Sequence, residues 1–334
     1  MNAAARPAER SGFLDRYSAP FITLAAALWA ADPIFRPALV KQGLSASEIV
    51  LLESLLISLC FIPMAPRVYR ELRGASWRTW LALAVIAVGP QAFATVLFTR
   101  SLDYATTRGA QSEVYLLYLL QPVFGIVLAR LVLRERRSPL FWPIAAAALG
   151  GAALIVVAQL PGAPQGALVA ALLVLGAVIL WAAGTVLGRY ALAGVSFTST
   201  SAMRFTLALP VLLVLMLTDR GVAGFGQYSI GQLPSFLGIA LIPGLIAMVL
   251  YYRALSSTPA SISTLAELGY PAALFLVYSL PAPVGFGLHL QPMEVGGAVL
   301  LIAAVTCLNL LKRRGGVRSP RPTELRLASE ASKG

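Results

Sequence analysis

The sequence predicts an all-α integral membrane protein of ten transmembrane helices, arranged as two inverted five-helix repeats, and three observations carry that prediction. Apolar residues fill 58% of the 334 positions and charged residues only 12%, whereas a soluble domain carries about 25% charged residues. Windows of about 20 residues with one ionisable group or none recur along the chain, as bilayer-spanning helices require. The second observation is an internal echo. Leu28-Trp29-Ala30-Ala31 returns 152 positions later as Leu180-Trp181-Ala182-Ala183, Arg100-Ser101-Leu102 is matched by Arg253-Ala254-Leu255, and Gly150-Gly151-Ala152 by Gly296-Gly297-Ala298, in the same order. The third is that each half holds an odd number of apolar runs, so the second copy enters the membrane from the opposite side.

Apolar runs bounded by Pro, Gly and basic clusters place spans at 19–40, 46–65, 79–102, 109–133, 140–160, 166–192, 198–217, 233–255, 260–280 and 293–311. No run alternates polar and apolar residues as a membrane β-strand would. Arg6, Arg10, Arg16, Arg67, Arg70, Arg73, Arg78, Arg134, Arg136, Arg137, Arg189, Arg253 and the tail from Lys312 fall on one side, and only Lys41, Arg100, Arg108 and Arg220 on the other. By the positive-inside rule both termini are expected in the cytoplasm, which places the chain in a bacterial inner membrane. The units are then a tail over 1–18, a first repeat over 19–160, a second over 161–312 and a basic, disordered tail over 313–334, with Gln159 to Gln165 as the joint.

The net charge of +12 sits at span ends rather than in a stripe with interleaved aromatics, so no nucleic-acid partner is expected. Cys60 and Cys307 lie in apolar runs without partner spacing and read as small buried groups, not a disulfide or metal site. No metal and no cofactor is expected. The first apolar run is long enough to remain as a span rather than be cleaved as a signal peptide. Trp77, Trp80 and Trp142 stand beside basic clusters as interfacial anchors. Gly150-Gly151 and Gly296-Gly297 suit close helix packing, within the bundle or between protomers, and the oligomer is a monomer or homodimer.

The Trp in the first span of each half, the Arg-Ser-Leu and Arg-Ala-Leu ends of the third and eighth, and the run Tyr118-Leu119-Leu120-Gln121-Pro122 through Leu133-Arg134-Glu135 resemble the drug/metabolite transporter superfamily, EamA branch. The likeness covers the whole membrane domain. It implies a ten-helix inverted-repeat transporter for small metabolites, often an exporter, with a central cavity lined by both halves. Two departures stand out: Glu53 sits where the family commonly has Arg, as at Arg204, and the Gly-Glu that usually follows the ninth span is missing.

A charge at mid-bilayer costs about 2.5 to 3.5 kcal/mol, so those present need a partner or a cavity. Asp32 and Arg36 lie four apart between Pro33 and Pro37. They form either a local ion pair or a site where Arg36 grips a substrate carboxylate. Glu53 and Arg204 occupy equivalent positions and read as a structural or gating ion pair across the pseudo-symmetry axis, rather than as substrate contacts. Gln111, Glu113, Tyr115, Tyr118 and Gln121 fall in the fourth span, where Glu113 lines the cavity or sits solvated at its outer mouth. Glu267, with Tyr270 one turn on and then Pro271, is a candidate to titrate a proton or hold a substrate amine. Gly89-Pro90-Gln91 and Pro243-Gly244 interrupt corresponding spans, a pointer to a binding site or hinge.

The substrate-binding residues expected are therefore Trp29, Asp32, Arg36, Gln91, Tyr115, Tyr118, Trp181, Tyr251, Glu267 and Tyr270. The function expected is secondary transport by alternating access, as an exporter of amino acids, aromatic ones included, or related amphipathic compounds. A passive channel or facilitator is the alternative. An intramembrane lipid-modifying enzyme is a weaker one, because His289 is the only histidine and lies in an outer loop, with no catalytic motif beside it.

Overall fold

The computed structural model describes residues 16–108, 117–118, 120–157, 168–281, 292–314 and 317–318. Tyr115, Glu113, Gln111, His289 and the joint between the halves lie outside them. The described residues are helical almost throughout. Helix α1 (Ser18–Trp29) gives way to α2 (Asp32–Lys41) because Pro33 has no amide to continue the ladder. A capping box starts α3 (Ala46–Cys60), with Ser45 Oγ accepting from the Glu48 amide and Glu48 Oε2 from the Ser45 amide. The chain then bends by 46° into α4 (Ala65–Arg73), an amphipathic helix carrying Arg67, Arg70, Glu71 and Arg73 outside the span.

Helix α5 (Trp77–Ile86) widens into a π-type segment at Ala87–Phe93 around Pro90, then resumes as α6 (Ala94–Arg108). After α7 (Gln121–Val132) come the two-residue strand β1 (Arg136–Arg137), α8 (Phe141–Val157) and α9 (Leu168–Ala191). The second half continues with α10 (Phe197–Thr206), capped by Ser196, and α11 (Leu209–Arg220). Helix α12 (Leu233–Ile239) widens at Ala240–Ile246 around Pro243 and resumes as α13 (Ala247–Leu255). Helices α14 (Ala260–Ala266), α15 (Gly269–Ser279) and α16 (Pro292–Arg313) follow, and strand β2 (Val317–Arg318) closes the described chain by pairing antiparallel with β1. The start of the predicted disordered tail is thus ordered against the loop after α7.

Among the described residues, six helical stretches are long and apolar enough to cross a membrane, and a seventh if α3 and α4 count as one bent span. The predicted spans over 109–133 and 140–160 reach into residues that are not described, which leaves α7 and the start of α8 as shorter apolar helices. The one over 260–280 breaks between α14 and α15 at Glu267-Leu268.

The two π-type segments fall in equivalent places of the two halves. Each answers a proline in mid-span, where the missing amide and the ring's clash with the preceding turn force an extra residue into the helix. One glycine of each pair brings α8 against α16 within the bundle, a Cβ on Gly151 standing 2.7 Å from the Gly297 carbonyl oxygen, while Gly150 and Gly296 face open space. Large apolar side chains such as Leu131, Val214, Val299 and Ile302 face outward, where lipid rather than water surrounds them. Cys60 and Cys307 share that outer surface. The sequence reading buried them because lipid-facing and core-facing positions are equally apolar. Trp77, Trp80 and Trp142 are exposed, as anchors at an interface would be.

Candidate functional site

A cavity of about 880 Å³, open space included, lies at the centre of the bundle between the two widened segments. Every described residue predicted to bind substrate borders it: Trp29, Asp32, Arg36, Gln91, Tyr118, Trp181, Tyr251, Glu267 and Tyr270. Glu53 and Arg204 border it as well.

Three polar knots surround this space. In the first, one turn of α2 brings Arg36 Nε to Asp32 Oδ2 at 2.7 Å, and Arg36 Nη2 reaches Asp32 Oδ1 at 2.6 Å and Glu53 Oε2 on α3 at 2.9 Å. In the second, Arg204 on α10 donates from Nε to Gln91 Oε1 at 2.8 Å and from Nη1 to the Tyr252 hydroxyl at 3.1 Å. Gln91 Nε2 passes the chain on to Ser54 Oγ at 3.3 Å. The predicted Glu53–Arg204 ion pair is therefore not made. Equivalent positions in sequence are near each other, but Arg36 on the neighbouring helix reaches Glu53 first, and Gln91 takes up Arg204.

The third knot is Glu267, at the break between α14 and α15. Its Oε1 accepts from the Tyr251 hydroxyl at 2.7 Å and from Thr185 Oγ1 at 2.9 Å, and its Oε2 from Gln121 Nε2 at 2.5 Å. Three neutral donors therefore hold one carboxylate, and among the described residues it makes no ion pair.

Aromatic rings line the remaining walls. Trp29 meets Tyr251 with ring centroids 5.4 Å apart, Phe98 meets Trp181 at 5.0 Å, and Tyr118 meets both Tyr270 at 5.1 Å and Trp181 at 6.1 Å. The indole nitrogen of Trp181 donates to the Pro90 carbonyl at 3.0 Å. The widened segment frees that carbonyl, and the bond fixes the ring's orientation across the two halves.

The two halves of this cavity match one family model twice, over residues 17–157 and 168–310, described as the EamA-like transporter family. The chain belongs to the EamA-like transporter family. It is thus a multi-pass membrane transporter of small molecules rather than an enzyme, and the family model matches it in two successive copies. The chain is also similar, at 30% identity over 203 residues, to the riboflavin transporter ImpX of Fusobacterium nucleatum subsp. nucleatum. The match takes in 59% of this chain and 66% of that relative. A solved crystal structure covers 89% of this chain and 98% of its own at a TM-score of 0.65 and 15% identity, a likeness of fold.

In this EamA-like fold the halves are also tied at their ends. Glu71 on α4 accepts from the Ser196 amide at 3.1 Å, from Ser196 Oγ at 2.6 Å and from Ser199 Oγ at 2.6 Å, so a carboxylate from the first half caps α10 of the second. At the other ends of the spans made by α3 with α4 and by α10 with α11, Asp219, in the last turn of α11, accepts from Ser47 Oγ on α3 and from Arg100 Nη2 on α6, each at 2.5 Å.

Sequence reading did not single out Thr95, Phe98, Thr185, Phe205 or Met248, all of which border the cavity. A signal existed for three of them. Thr95 and Phe98 follow Gln91 by four and seven residues, and Thr185 follows Trp181 by four, which places each on the face already identified.

Proposed function

We propose that this chain is a carrier of planar, uncharged aromatic compounds of flavin size, moved by alternating access between two inverted repeats of five spans each. The observation that carries the reading is the state of the cavity's polar groups. Its charges are already engaged by neighbours, and what stays buried without a partner among the described residues is one acceptor, Gln121 Oε1, and one donor, Arg36 Nη1. Such a site suits the imide edge of a neutral heterocycle, while Trp29, Tyr118, Trp181 and Tyr270 offer their faces to its rings. The similarity to a riboflavin transporter supports the same class. The Arg-rich face is cytoplasmic in this reading, in the inner membrane of a bacterium.

A second reading is export of aromatic amino acids, favoured by one observation: Glu267 has only neutral donors and Arg36 keeps one free N–H, the two poles that an ammonium and a carboxylate need. Counterflow in proteoliposomes separates the two. Vesicles preloaded with unlabelled riboflavin should draw labelled riboflavin above equilibrium, and phenylalanine or tryptophan inside should not. Accumulation with the amino acids alone would favour the second reading, and equilibration without overshoot for every compound would point to a passive channel.

A further inference from the structure

One cluster of charges outside the cavity has no role in the transport reading. Where α7 ends on the Arg-rich face, Glu135 accepts from the Ala260 amide at 2.7 Å, the Ser261 amide at 3.2 Å and Ser261 Oγ at 2.5 Å, and so caps α14. That carboxylate caps a helix N-terminus, and three arginines gather round it. Arg130 Nη1 donates to the Glu135 carbonyl at 3.2 Å. Arg137 Nη2 stands 4.0 Å from Glu135 Oε2 and donates to the Ile126 carbonyl at 2.8 Å. Arg189, near the end of α9, lies within electrostatic reach of Glu135.

The Arg137 side chain is only 6% exposed, and its Nε has no hydrogen-bond partner. Neither has Arg189 Nε nor Ser138 Oγ, both fully enclosed. Burial holds the Arg137 guanidinium below its ordinary pKa, opposed by Glu135 and reinforced by Arg130. Two guanidiniums face one carboxylate here, Arg137 also lying over the Phe141 ring at 5.4 Å, and the enclosed donors left over are what a further anion would satisfy.

We infer that Arg137, Arg189 and Ser138 form a binding site for a phosphate-type anion, the headgroup of an anionic phospholipid in the leaflet on the Arg-rich face. Guanidinium N–H groups and a hydroxyl match phosphate oxygens. A lipid is favoured over free phosphate by what flanks the cluster. Leu131 and Leu140, which flank Arg137-Ser138 in the sequence, are 69% and 57% exposed, and Trp142 stands at 55% on the first turn of α8, so exposed apolar side chains for acyl chains bracket the charged segment. Strand β2 adds Arg318 opposite Arg136 on the same side.

Native mass spectrometry of the purified full chain, titrated with dioleoylphosphatidylglycerol or dioleoylphosphatidylcholine, tests this. The wild type should retain the glycerol lipid preferentially. Arg137→Gln and Arg189→Gln should each lower that retention by about fivefold, the effect of one basic residue near an anionic surface, while Arg70→Gln, on exposed α4, should not. Equal retention of both lipids by the wild type would overturn the proposal even if the variants fail to fold. An unchanged preference in folded variants would overturn it too. Thermal stabilisation of the wild type by inorganic phosphate that matches and blocks stabilisation by phosphatidylglycerol would identify a soluble anion as the occupant and remove the lipid.

Discussion

Arg36 Nη2 stands 2.9 Å from Glu53 Oε2, and this contact joins the first two spans across a pair of buried side chains. Glu53 is held by Arg36 rather than by its counterpart in the other half, so the α2–α3 junction is an ion cluster of one guanidinium between two carboxylates. Arg36→Ala leaves both carboxylates without their cation and should destabilise the protein by about 3–5 kcal/mol. Arg36→Met combined with Asp32→Asn and Glu53→Gln should cost clearly less, because the cation and both carboxylates lose their charge together. Thermal unfolding in detergent of Arg36→Ala and of the combined variant reads this out; equal losses would mean the cluster carries no coupling.

Trp181 ties the Pro90 carbonyl to the aromatic wall. Trp181→Phe keeps a ring but drops the N–H, and Trp181→Ala drops both. Substrate affinity should fall in that order, with Ala weakening it about tenfold, as loss of one or two ring contacts implies. Concentration dependence of counterflow is the measurement, with expression level and unfolding temperature as controls. Normal affinity in Trp181→Ala would take this ring out of the site.

Glu267 and Gln121 meet in one hydrogen bond at 2.5 Å, and the proton role expected of Glu267 from the sequence and the recognition role proposed for Gln121 are separable by substitution. Glu267→Gln keeps the size of the side chain while removing its charge, so any dependence of transport on a proton gradient should vanish while counterflow at symmetric pH persists. Gln121→Leu removes the free acceptor and the donor to Glu267 together, and should weaken substrate binding by about 1–3 kcal/mol, the cost of leaving buried partners unpaired. A pH profile retained in Glu267→Gln would deny it the proton role.

Much of this site was legible because membrane burial makes polar residues conspicuous. Trp29 and Trp181 stood out through the repeat, Glu267 as a lone carboxyl, and Gly89-Pro90 with Pro243-Gly244 as matching interruptions that proved to be matching π-type segments. What could not be read was partner choice. Glu53 and Arg204 are equivalent in sequence, but which cation reaches Glu53 depends on the rotation of α2 about its axis, set by packing such as Phe35 against Gly238. The capping carboxylates Glu71 and Glu135 were also hidden, because a glutamate among arginines in a polar loop looks solvated until a helix from the other half ends beside it.

Glu71 and Asp219 hold opposite ends of the two spans made by α3 with α4 and by α10 with α11, and this reciprocity predicts separate effects on the two faces. Burial alone would raise the pKa of Glu71, but hydrogen bonds from Ser196 and Ser199, with Arg67 nearby, bring it down to about 2. A carboxyl lowered on folding contributes stability above its ordinary value of 4.5, and that contribution is lost as pH falls from there toward about 2. The α4–α10 tie should therefore persist at neutral pH and release in acid, and Glu71→Gln should release it at every pH. With Cys60→Ser, Cys307→Ser and Thr95→Cys as the reporter background, a membrane-impermeant maleimide reads cavity access from each side. Glu71→Gln should speed labelling from the Arg-rich face and Asp219→Asn from the opposite one, each by severalfold, because each variant loosens one end while leaving the other tied. Labelling unchanged from both sides would show that these contacts close neither end, and equal acceleration from both sides would show that they hold the bundle together without discriminating between its faces.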